Sequence, residues 1–389
     1  TSRPDRVETR HIQGWHFCPS GTICLEHATP QRERAIRVVC YWPPLLVTRM
    51  RSLRQPIRHP PTLKYHTPWA IATLSPIDYY CVTRTQTTTL KTQRMPSLNL
   101  HRIIGVCSFL LLLAISPIAQ AAKIDSLDIT STLMKKTYKA AVVLPESYAK
   151  TNTPYPVLYL LHGGFGHYRD WLEKTPDKHL LSRLADQYNL IIVLPEGEVF
   201  SYYIDSPVDK TSQFESYIIK DVVPKIDNTY RTNRSNKARA ITGLSMGGYG
   251  ALYLSARHPD LFGAAGSMSG ALNPDMLGWK LPPEMAGNIK KAFAAIMGPV
   301  DSVDYDAYSV IAMADVIKKN GTKLIFDCGV DDFLIEPNRE LHRRLVFNQT
   351  PHDYTERPGG HTWDHWQTSL PYHVLFFHEV MKANQVSAN

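Results

Sequence analysis

An α/β fold, with a mostly parallel central sheet and helices on both faces, is predicted for residues 122–389 on three observations. Short continuous apolar runs recur along this part of the chain, the pattern of strands buried on both faces of a parallel sheet. Segments with helical spacing lie between the runs, so strand and helix alternate. Several of the runs end in glycine-rich or acidic turns that carry reactive side chains.

Taken in order, Ile124 to Thr132 and Tyr138 to Leu144 alternate well enough to form a pair of strands, and Pro145 ends the second. The buried runs are Val157 to Leu161, Leu190 to Leu194, Ala238 to Thr242, Ala264 to Met268 and Leu324 to Cys328. Tyr354 to Arg357 adds a short strand-like stretch. Helical patterns fall at Lys178 to Tyr188, Glu215 to Asn228, Ser245 to Arg257, Tyr308 to Lys319 and Asn338 to Phe347. Pro274 to Met297, with several prolines and Trp279, reads as an insertion between two strands, either a lid and pocket wall or a plain surface loop.

Gly243-Leu244-Ser245-Met246-Gly247 follows the third buried run and leads into a helix, the strand–turn–helix order of a nucleophile elbow. The glycines remove side chains that would collide in so sharp a turn. Ser245 is thereby lifted above the sheet, where a free Met246 N–H and the helix dipole can meet negative charge on a carbonyl oxygen. A bare G-x-S-x-G match can equally be a glycine turn whose serine caps a helix, so the surrounding order is what favours the catalytic reading.

His162-Gly163-Gly164-Phe165-Gly166 closes the first buried run, and its glycines let backbone approach a substrate, so Gly163 and Gly164 are candidates for a second oxyanion donor. His162 itself reads as structural. After Leu324 to Cys328 the carboxylates Asp331 and Asp332 stand at a strand end; one of them can orient and stabilise an imidazolium, but not both. Among the downstream histidines, His361 alone follows a strand through a turn, Pro358-Gly359-Gly360, which leaves its ring free to reach another strand's end. His365 and His378 sit in helical surroundings, where a surface or capping role is the default.

These residues together resemble the esterase family of α/β-hydrolases that includes feruloyl and acetyl-xylan esterases, tributyrin-type esterases, S-formylglutathione hydrolases and mycolyltransferases. The resemblance covers residues 125–382. It rests on Pro156-Val157-Leu158-Tyr159-Leu160-Leu161-His162-Gly163-Gly164, Asp205-Ser206-Pro207, Glu215-Ser216-Tyr217-Ile218, the Ser245 elbow with Gly248, Asp332-Phe333-Leu334 and Gly359-Gly360-His361-Thr362-Trp363. It implies the α/β-hydrolase fold, with Ser245 as nucleophile, His361 as base and Asp332 as the third member. It also implies short-chain acyl, acetyl or feruloyl esters, small or carried by plant polysaccharide, as substrates. Trp279 and Trp363 are the candidate substrate-binding aromatics. The chemistry needs no metal or organic cofactor. An acyltransferase of the same fold is one alternative. Another is a non-catalytic carbohydrate-binding protein that stacks sugars on Trp279, Trp363 and Tyr202-Tyr203.

The rest of the chain reads differently. The formal net charge is +8, but residues 1–94 hold 14 basic and 5 acidic side chains, whereas residues 122–389 hold 28 basic and 30 acidic ones. The basicity therefore sits outside the catalytic unit and gives no reason to expect nucleic acid as a partner. The leader 1–94 has no sustained period, and Cys18, Cys24, Cys40 and Cys81 match no metal-site spacing, so it is expected to lack a fold of its own. Met95 is the expected initiator of a secretory signal peptide, 95–121. Its apolar run Ile103 to Ile115 is broken by Pro117 and followed by Ala119-Gln120-Ala121. That run is shorter than the ~20 residues a membrane span needs, so a secreted or periplasmic protein without a stable anchor is expected. Cys328 alone remains beyond residue 121, so no disulfide is expected there.

Overall fold

The computed structural model describes residues 122–386; the leader 1–94 and the signal peptide 95–121 expected from the sequence lie outside them. Eight strands form one sheet: β1 (Lys123–Thr130), β2 (Thr137–Leu144), β3 (Val157–Leu161), β4 (Ile191–Pro195), β5 (Arg239–Gly243), β6 (Ala264–Met268), β7 (Lys323–Gly329) and β8 (His352–Arg357). Their order is β1-β2-β4-β3-β5-β6-β7-β8. β1 pairs antiparallel with β2, and β2 antiparallel with β4, while every later pairing is parallel. The five-residue runs of β3, β4, β5 and β6 are buried throughout, as strands covered on both faces must be.

Alternation along β3 shows how the two faces divide. Val157, Tyr159 and Leu161 enter one apolar cluster, and Leu158 and Leu160 enter the other. Helices α1 (Leu180–Tyr188) and α7 (Trp363–Ala383) pack on the second face. The first face carries α2, α3 (Met246–Arg257), α4 (Pro283–Met297), α5 (Ala314–Asn320) and α6 (Ile335–Phe347). Here α2 is a helix of three consecutive parts, Phe214–Ser216, a π-helical turn Tyr217–Val222, and Val223–Thr229. Pro224, which has no N–H to donate back into the preceding turn, stands two residues past the end of the π turn.

Three expectations need correction. The stretch 274–297 is not wholly irregular, since α4 occupies its second half. Glu284, Ala286, Gly287 and Lys290 give no clean apolar stripe, and only Phe293 and Met297 of α4 are fully buried. The helix expected from Tyr308 begins at Ala314, because residues 308–313 form turns anchored by Val310 N–H on Leu272 O. β1 stops at Thr130, where Ser131 to Lys135 turn the chain back. Among the described residues no helix is long and apolar enough to cross a membrane.

Two motifs noted in the sequence brace this frame. Asp205 accepts from the Ser216 N–H at 2.8 Å and from its hydroxyl at 2.6 Å, fixing the start of α2. Glu215 accepts from Arg257 at 2.8 Å and lies 2.7 Å from His258, which ties α2 to the end of α3. Ser206 Oγ donates to Ile296 O at 2.6 Å and so holds α4 against the domain.

Candidate active site

β5, at the middle of the sheet, delivers Ser245. The Ser245 backbone has φ 54° and ψ −117°, a left-handed conformation uncommon for serine, and it is held on both sides. Ser245 N–H donates to Met268 O at 2.9 Å, and Ser245 O accepts from Ala271 and Tyr249 N–H. A Cβ on Gly243 would lie 2.6 Å from the Gly247 backbone, and one on Gly247 would lie 2.5 Å from His162 O. Only hydrogen at these positions lets strand, turn and helix come so close.

The loop after β3 lies against this turn. A Cβ on Gly163 would stand 2.5 Å from a Leu244 methyl and 3.4 Å from Ser245 Cβ, and one on Gly164 would be 3.9 Å from Met246 Cβ. Met246 opens α3, where an N–H has no partner inside the helix. His162 is buried and pins the loop: its Nδ1 is 2.9 Å from Gly163 O, and its Nε2 accepts from Gly197 N–H at 2.9 Å. The same Nε2 also lies 3.2 Å from Glu196 Oε1. Tyr203 OH donates to His162 O at 3.1 Å, and Phe165 N–H to Val199 O at 2.7 Å, so the loop is tethered at both ends.

The acid and the base come from two loops that touch each other. Val330 N–H donates to Arg357 O at 2.9 Å and Asp331 N–H to Gly359 O at 3.0 Å. A Cβ on Gly329 would strike Gly359 O at 2.2 Å. This contact carries His361, on the loop leaving β8, to the end of β7. His361 Nδ1 lies 2.9 Å and 3.1 Å from the two Asp332 oxygens, and His361 Nε2 lies 2.9 Å from Ser245 Oγ. Asp332 is buried and Asp331 exposed, and Asp331 offers only its backbone to this contact. Burial by itself would raise the Asp332 carboxyl. The hydrogen bond and charge of His361 and the Leu334 N–H outweigh it, so the group is held below its ordinary value.

The two candidate substrate aromatics are separated. Trp279 is half-buried on the α3 side, with Nε1 donating to Asn273 Oδ1 at 2.8 Å and its ring 6.2 Å from Phe333, which lies 4.5 Å from His361. Trp363 is half-buried on the α7 side, edge-on to Trp171 and Trp366 at 5.3 Å each. Tyr202 and Tyr203 are buried as well and offer no face to a sugar. His365 is neither a surface nor a capping side chain. It is buried, with Nε2 3.2 Å from Asp327, which also bonds His373, Ser369 and Arg357. Sequence reasoning passed over Asp327 because it lies inside β7, where a carboxylate has no turn to mark it.

Residues 131–377 match the family model described as "Putative esterase". The chain belongs to this esterase family. Among curated relatives, the esterase is 30% identical over 221 residues to an acetyl esterase of Caldicellulosiruptor saccharolyticus, covering 54% of this chain and 78% of that one. It is 29% identical over 247 residues to the esterase Rv1288 of Mycobacterium tuberculosis, covering 57% of this chain and 52%, about half, of that protein's length. Among solved structures, a ferulic acid esterase superposes with a TM-score of 0.58 at 27% identity, over 67% of this chain and 99% of the other. The fluorophosphonate-binding serine hydrolase FphF of Staphylococcus aureus superposes with a TM-score of 0.57 at 20% identity, over 67% and 99%, a likeness of fold alone. The fold is that of the α/β-hydrolases, and the protein is a carboxylic ester hydrolase.

Proposed function

We propose that the esterase is an exported serine hydrolase in which Ser245, His361 and Asp332 act as a catalytic triad through an acyl-enzyme. The observation that supports this most directly is the pair of 2.9 Å contacts made by the two nitrogens of one imidazole, to Ser245 Oγ and to Asp332. His361 accepts the Ser245 proton on Nε2 as the oxygen attacks the ester carbonyl. Asp332, ionised, holds Nδ1–H and the cation that forms. The N–H of Met246 and those of the Gly163–Gly164 loop receive the oxyanion. Collapse breaks the bond to the alcohol oxygen, which departs with the proton from His361. Water then gives its proton to His361 as it attacks the acyl-serine, and collapse breaks the bond to Ser245 Oγ, which takes that proton back from His361 as the acid departs.

Acetyl, short-chain acyl and feruloyl esters are the proposed substrates, including those borne on plant polysaccharide. Support comes from relatives named as acetyl and ferulic acid esterases. Hydrolysis of acetyl, butyryl and feruloyl esters by the purified protein tests the reading. Ser245→Ala should lower kcat by at least about 10⁴-fold while the circular dichroism spectrum is kept; turnover near the original rate would remove Ser245 from its role. Export is inferred from the 95–121 segment and is tested by N-terminal sequencing of the extracytoplasmic protein, which should begin at Ala122.

A further inference from the structure

An unbroken series of aromatic rings borders the site from the oxyanion loop round to the base. Phe165 lies 5.8 Å from Phe200, Phe200 5.3 Å from Phe293, Phe293 6.1 Å from Trp279, Trp279 6.2 Å from Phe333, and Phe333 4.5 Å from His361. The inner members are anchored. Phe293 is fully buried, Trp279 is bonded to Asn273, and Phe200, Trp279 and Phe333 are half-buried against the core. Phe165 differs, because its ring is 70% exposed.

Phe165 also has φ 60°, a conformation that a glycine would adopt freely and that a phenylalanine adopts at a cost. Its surroundings enforce it. Phe165 N–H is held by Val199 O, and the supporting segment itself turns through left-handed Glu198, Tyr202 and Tyr203. An exposed, large apolar side chain kept in a costly backbone conformation gains nothing for the folded state by burial. The same enforcement does fix where the ring stands, two residues past Gly163 and one past Gly164. Phe165 shares its loop with Gly163, whose Cβ position lies 3.4 Å from Ser245 Cβ, so the ring stands on the same loop that would receive the carbonyl oxygen of a bound ester. Val199, 56% exposed beside it, extends the same apolar lip.

We infer that Phe165 is a specificity-determining residue. Its ring is the open end of the aromatic arc and packs on the flat or extended apolar part of a bound ester, so that esters long enough to reach it are favoured over acetyl esters. This rests on the reading of Ser245 as the nucleophile. Covering part of one ring is worth about a tenfold change in kcat/KM.

The experiment compares 4-nitrophenyl 3-phenylpropanoate with 4-nitrophenyl acetate, which share a leaving group, on wild type, Phe165→Gly, Phe165→Ala and Phe165→Tyr. The glycine variant accommodates the positive φ without a side chain, so a folded protein is available even where alanine is poorly tolerated. Thermal melts establish that each variant is folded. The ratio of the two kcat/KM values should fall about tenfold in the glycine and alanine variants, through KM for the longer ester, and return in the tyrosine variant. A ratio that stays within about twofold of wild type overturns the inference, whether both esters slow together, as for a side chain that only holds the loop, or neither does. Wild type that turns over neither ester, although folded, overturns the serine-esterase reading itself, so the two failures are distinct.

Discussion

Asp331 and Asp332 are adjacent and chemically identical, yet only one faces the imidazole. Asp332 Oδ1 also accepts the Leu334 N–H at 2.9 Å, and that bond turns its carboxylate inward, while Asp331 points to solvent. Asp332→Asn should therefore lower kcat by about 10⁴-fold, as happens when a triad loses the group that fixes its tautomer, and Asp331→Asn should change it less than about threefold. Steady-state kinetics on one chromogenic ester decides this, and equal effects would refute the assignment. The pair also marks how far residue-level reading reached. Ser245 and His361 were legible because a turn of fixed chemistry precedes each. The choice between the two aspartates needed the family resemblance, because a one-residue difference in a turn leaves no periodic trace. The place of Trp363 beside His361 in sequence says nothing of which face of the sheet its ring joins, and only the structure puts it with Trp171 and Trp366.

At the scale of elements, the elbow is set by how closely α3 is pressed to β3 and β5. Gly247 is the tightest point, since a methyl there would meet His162 O at 2.5 Å and Leu161 O at 2.7 Å, both backbone atoms that cannot rotate away. Gly247→Ala is expected to cost about 1–3 kcal/mol in stability, read from the urea midpoint, and to lower activity with it because the turn carrying Ser245 must shift. An unchanged midpoint would mean the helix can slide outward without harm. Strands and most helices were legible, because buried parallel strands write themselves as continuous apolar runs. α4 was not, since its face is only partly covered and prolines precede it. The π turn in α2 also left no periodic signal, although Pro224 is its physical marker.

For the molecule as a whole, a buried carboxylate outside the site bears on stability. Asp327 is fully buried at the sheet's end of α7, bonded to His365, His373 and Ser369 and paired with Arg357 at 3.0 Å. Burial alone would raise its carboxyl; the hydrogen bonds from the two histidines and the Arg357 charge overcome this and hold it well below the usual carboxylate range. A carboxyl whose folded value lies under its unfolded value of about 3.9 stabilises the fold above that value, and the contribution is lost as pH falls toward the folded one. Asp327→Asn should thus destabilise the protein by roughly 3–5 kcal/mol at neutral pH. It should also flatten the loss of stability below about pH 4, as measured by urea unfolding across pH. A mutant as acid-sensitive as wild type would show that the charge does not carry the effect.

The position of β8 at the rim of the sheet has an enzymological consequence. His361 leaves from a strand that, among the described residues, has a neighbour on one side only, while Ser245 is seated at the centre. Fraying of that rim would withdraw the imidazole and leave the hydroxyl where it is. In dilute denaturant, turnover should then vanish before the bulk of the ellipticity does, making catalytic rate a sensor of peripheral opening well ahead of global melting.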